Sequence, residues 1–130
     1  MISFQKLIAV RWECVHFGIV ESRVATQLEK HGIAVRYLDG VGVDSGDAAL
    51  EALARALAFP SYFGRNWDAL DESLRDLDWL PANGYLLIVQ HAEVFWHASP
   101  EAVGHLIEAW LSAAESWSRS ERPFHLVLSW

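Results

Sequence analysis

Apolar positions divide the chain into short segments of two periodicities. Leu7 to Trp12 reads as a short strand. Gly18 to Lys30 reads as a helix whose apolar contacts are Ile19, Val24 and Leu28, with Gly32 as its stop. Ile33 to Leu38 is strand-like and closes on the Asp39-Gly40 turn signal. After the cap candidates at Asp44 to Asp47, Leu50, Leu53 and Leu57 recur with helical spacing. That helix ends before Pro60, because a proline pushes the residue ahead of it out of the helical region. A short helix is predicted from about Trp67 to Leu77, and Pro81 to Gly84 then breaks the chain. Tyr85 to Val89 is an unbroken apolar run, the pattern of a strand covered on both faces. Ser99-Pro100-Glu101 combines a capping hydroxyl, a first-turn proline and an acid at the positive end of the helix dipole. Val103, Leu106, Ile107, Trp110, Leu111, Ala114 and Trp117 continue that helix, and Phe124 to Ser129 follows Pro123 as a last strand. Strands alternating with helices predict an α/β fold with a small, mostly parallel sheet.

Composition narrows the classes. The 130 residues, 52% of them hydrophobic, suit one domain with a real core. A net charge of -7 argues against direct nucleic-acid binding, which needs a basic face. It favours a basic protein partner, or no more than solubility. The single cysteine, Cys14, allows no disulfide framework and no cysteine-based zinc site, and reads as a small buried hydrophobe. No leader segment or membrane-length apolar run is seen, which leads us to expect a cytoplasmic protein with no membrane partner.

The chemistry concentrates between Pro60 and Asp76. With Trp67, Leu70, Leu74 and Leu77 on one arc of about 80°, that arc faces the core. Asp68, Glu72 and Asp76 then form a second stripe at i, i+4 spacing, with Asp71 nearer the core boundary and Arg75 placed to offset part of the charge. Such like-charge spacing destabilises a helix slightly, so the stripe is poorly arranged for stability alone. Ahead of it, Asn66 suits the helix N-cap and Gly64 suits a turn conformation that a side chain would hinder. Tyr62 and Phe63 set aromatics beside the acids.

The run Pro60-x-Tyr62-Phe63-Gly64-x-Asn66-x-Asp68-Ala69-Leu70, followed by Glu72, resembles the signature of the barstar family of intracellular inhibitors of barnase-type ribonucleases. The order of elements is similar from about Ile33 to the C-terminus. The resemblance implies a small three-stranded parallel sheet packed by helices over residues 33–130, with residues 1–32 as an N-terminal extension packing on that domain. It also implies a monomeric immunity protein of a bacterial toxin-antitoxin kind, without cofactor or metal, that plugs the nuclease active site. Tyr62 would contact the nuclease, and Asn66 and Asp68 would sit at the edge of the site. Glu72 matches the central acid that occupies the phosphate position, and Asp71 and Asp76 flank it. Glu72 stands where the best-known member has Asp, Asp71 where it has an aromatic, and Asp76 where it has a glycine. These departures make the helix more acidic. The family also carries an acid on the last long helix, near which Glu115 lies.

Two other classes compete. A related scaffold could bind a different protein. A hydrolase could use paired carboxylates with tryptophans lining a sugar site, but Asp68 and Glu72 lie one turn apart on one helix, without a facing wall. His16, His31, His91, His97, His105 and His125 form no helical zinc pair, and no nucleotide-binding glycine pattern is found.

Overall fold

The computed structural model describes residues 1–130. In chain order the elements are α1 (Phe4–Ile8), β1 (Val15–Phe17), α2 (Ser22–Lys30), β2 (Ile33–Asp39), α3 (Gly46–Ala56), α4 (Trp67–Asp76), β3 (Gly84–Gln90), α5 (Ala92–Ala98), α6 (Pro100–Ser118) and β4 (Phe124–Leu128). The four strands form one sheet in the order β1-β4-β3-β2, and every pairing is parallel. Parallel neighbours need crossovers, and the helices supply them on both sheet faces. Tyr85, Leu87 and Val89 of β3 join Phe124, Leu126 and Leu128 of β4 in the larger core beneath α3 and α6. The alternate residues Leu86, Ile88 and Val127 join Ile2, Leu7, Val24 and Leu28 in a smaller core beneath α1 and α2. The unbroken apolar run of β3 is therefore buried on both sides, as its sequence predicts.

Four features differ from the sequence expectations. The sheet has four strands instead of three, because residues 15–17 pair with β4. The strand expected at Leu7 to Trp12 is absent: Phe4–Ile8 is a helical turn capped by Ser3, whose side chain accepts from Lys6 N at 3.2 Å. The helix expected from Gly18 begins only at Ser22, and the glycine itself has φ 155°. The short helix α5 follows β3 directly, where apolar spacing gave no signal. Residues 1–32 thus supply α1, β1 and α2, which together extend the sheet and cover one of its faces.

Candidate partner-binding site

The α3–α4 connection is held from behind by aromatics. Phe63 is buried and its ring lies 4.7 Å from that of Phe59, which meets Trp79 edge-on at 5.6 Å. The Trp79 indole N–H donates to Leu57 O at 3.0 Å, fastening the start of the loop. Arg65 adopts φ 52° and its guanidinium reaches Glu51 of α3 at 2.6 Å. This corrects the expectation for Gly64, since the left-handed residue is Arg65. A Cβ on Gly64 would instead meet the Ala69 methyl at 3.3 Å, so close approach to α4 explains the glycine. Asn66 caps α4 as its sequence position predicts: Oδ1 accepts from Ala69 N at 2.7 Å, while Nδ2 donates to Gly64 O at 3.3 Å.

α4 is anchored along one side. Leu70, Leu74 and Leu77 are fully buried, and Leu77 ends the helix in the left-handed region at φ 50°. Trp67 is half-buried and stacks on His105 of α6, with ring centroids 4.7 Å apart. The Trp117 indole N–H donates to Leu74 O at 2.7 Å, satisfying a carbonyl near the helix end and tying α4 to α6. On the opposite side Asp68, Glu72 and Asp76 are exposed, and Tyr62 stands 78% exposed at the loop. Asp71 is half-buried and paired with Arg75 at 3.1 Å, in the favourable order of acid before base. Asp68, Glu72 and Asp76 therefore share one side of α4, with Asp71 at its rim, while Tyr62 and Asn66 lie in the loop that leads into the helix. Glu115 is exposed on α6 and paired with Arg119 at 3.6 Å.

One acid escaped the helical pattern because it lies just beyond the helix. Asp78 neighbours Asp76, and its pKa is raised above the ordinary 3.8 because its protonated form can hydrogen-bond to Asp76 and because the charge of Asp76 opposes its ionisation. The stripe thus continues past the C-terminus of α4, where the helix dipole gives it no support. The surface is convex. The larger concavities lie elsewhere, including one of about 440 Å³ between β2 and α3 lined by Tyr37, Asp39 and Arg55. No three His, Cys, Asp or Glu side chains are grouped to hold a metal ion.

Residues 33–129 match the family model described as Barstar (barnase inhibitor). The chain belongs to the barstar family. No curated protein matches it. Barstar-family proteins are inhibitors, not enzymes, and bind barnase-type ribonucleases. The family segment begins at Ile33, so β2, β3, β4 and α3 to α6 lie within it, while α1, β1 and α2 precede it. No helix is long and apolar enough to cross a membrane.

Proposed function

We propose that this chain inhibits a basic, barnase-type endoribonuclease by closing its active site, in a one-to-one complex, with the 62–66 loop and α4. The observation that carries this reading is an acidic stripe on the outer side of a helix whose other side is pinned by Leu70, Leu74 and Trp117. A nuclease cleft that holds phosphate needs cationic side chains, and a carboxylate presented on a rigid support makes charge-assisted hydrogen bonds to them. Glu72, in the middle of the stripe, is the phosphate mimic. Asp68 and Asp76 flank it, Tyr62 supplies an aromatic contact and Asn66 fixes the loop to the helix. Asp71 acts at the rim through its pair with Arg75. Residues 1–32 belong to the scaffold on this reading, and the protein works as a monomer in the cytoplasm of the cell that makes the nuclease. A carboxylate-dependent hydrolase fits less well, since the acids stand on a convex helix with no opposing group.

The test is titration of a barnase-type ribonuclease with the purified chain while RNA cleavage is followed. Activity should fall linearly to an end point at one equivalent, and RNA bound at the active site should slow the loss. Undiminished cleavage at excess folded protein, across several such nucleases, would contradict the proposal.

A further inference from the structure

Two buried histidines join the N-terminal segment to the family fold. His16 of β1 and His125 of β4 are 9% and 0% exposed, and their rings approach with Nε2 of His16 2.9 Å from Nδ1 of His125. Nε2 of His125 lies 2.7 Å from Ala9 O, the residue that caps α1. A carbonyl only accepts, so Nε2 of His125 carries a proton. Nδ1 of the neutral ring is then an acceptor and receives the Nε2–H of His16. The result is a single relay from β1 through β4 to the end of α1. Its proton positions are fixed by geometry, and it consists of two neutral rings.

We propose that the His16–His125 pair is a proton-released latch: mild acid frees residues 1–17 from the edge of β4 while the segment carrying the acidic loop stays folded. A first proton can enter at Nδ1 of His16 without breaking either hydrogen bond. A second would place N–H groups of both rings face to face, and the relay opens. The charged groups around the pair oppose protonation. Lys6 of α1, Arg11 and His125 act against a positive His16, and Arg11 acts against a positive His125. Glu13, which lines the same surface cavity as Lys6 and His16, is the acid on that side. Burial first, then these charges, lowers His16 from the ordinary 6.5 to about 4, and burial also lowers His125.

The sign follows from linkage. Both rings are held neutral when the segment is docked and bind a proton more readily when it is free. Docking is therefore fully supported above pH 6.5 and loses support as pH falls from there towards about 4. What resists release is limited: β1 pairs over three residues, α1 is five residues long, and Ile2, Leu7 and Cys14 are the buried apolar side chains that the segment contributes. The inhibitory reading does not depend on this latch, because Leu70, Leu74 and Trp117 anchor α4 in the larger core, to which the segment adds only Cys14 and the partly buried Val15.

Cys14 gives a direct readout. It is 1% exposed, lies two residues from His16, and is the only thiol. Its labelling by 4,4′-dithiodipyridine should be followed from pH 7 to 4 on the full chain, relative to the urea-unfolded chain at each pH. Exchange of the Leu87 amide in β3 is measured alongside. Protection of Cys14 should fall as pH drops, at up to about 100-fold per pH unit where release takes up two protons, while Leu87 stays protected. His125→Gln should reduce the limit to about tenfold per pH unit, since one titrating ring remains. Protection of Cys14 that ignores pH would overturn the latch, as would its loss in step with Leu87. So would a folded His125→Gln chain with the full wild-type pH dependence.

Discussion

Asn66 shows how much one side chain settles at the site. Its carboxamide caps α4 through Ala69 N and also holds Gly64 O, so it fixes both the start of the helix and the loop leading into it. Asn66→Ala should cost about 1 kcal/mol of stability, the usual worth of an N-cap, measured by urea unfolding. An unchanged midpoint would mean that water replaces the cap. This role was legible from an asparagine placed directly before a helical apolar pattern. The left-handed conformation of Arg65 was not. Glycine is the default for that region, so Gly64 drew the prediction, whereas its real constraint is the Ala69 methyl 3.3 Å from where a Cβ would stand. Asp78 was likewise invisible to a helical projection, since it lies outside the helix and meets Asp76 only through the turn after Leu77.

Among elements, α4 is stabilised by its neighbours more than by its own sequence. Like charges at i, i+4 weaken it by a few tenths of a kcal/mol per pair, and a helix of ten residues is marginal alone. Burial of Leu70, Leu74 and Leu77 against the main core offsets this. Leu74→Ala should therefore destabilise the protein by about 3 kcal/mol, in the range for fully buried leucines, and a loss under 1 kcal/mol in urea unfolding would show that α4 is not so anchored. The elements that sequence placed well are those with several apolar repeats: β2, α3, α4, β3, α6 and β4. Of the N-terminal elements α2 was found, four residues shorter at its start, but α1 and β1 escaped because they are too short for a period to be read. A five-residue helix and a three-residue strand carry less than two repeats each. Their positions are set by tertiary partners, namely the edge of β4, the smaller core and the two histidines, none of which is local in sequence.

At the scale of the whole molecule, the net charge of -7 and the exposed stripe on α4 act together. Their combined field should draw in a basic partner, so association with the nuclease should slow as salt is raised from 0.05 to about 0.5 M, with the dissociation rate changing less. A stopped-flow association rate that ignores salt would count against steering. Charge alone, however, does not separate a specific phosphate mimic from general attraction between an acidic and a basic protein. Glu29 supplies the comparison: it is exposed on α2, which covers the opposite sheet face, and its loss changes net charge by the same amount as loss of Glu72. The decisive measurement is the dissociation constant of the nuclease complex for the wild type, Glu72→Gln and Glu29→Gln. Leaving a desolvated cation unpaired in the nuclease cleft costs about 3 kcal/mol or more, so Glu72→Gln should weaken binding at least about 100-fold. Glu29→Gln should change it by less than about threefold, as expected of a distant, solvent-screened charge. Equal, small effects of the two substitutions would contradict the assignment of Glu72 as the group that occupies the phosphate position.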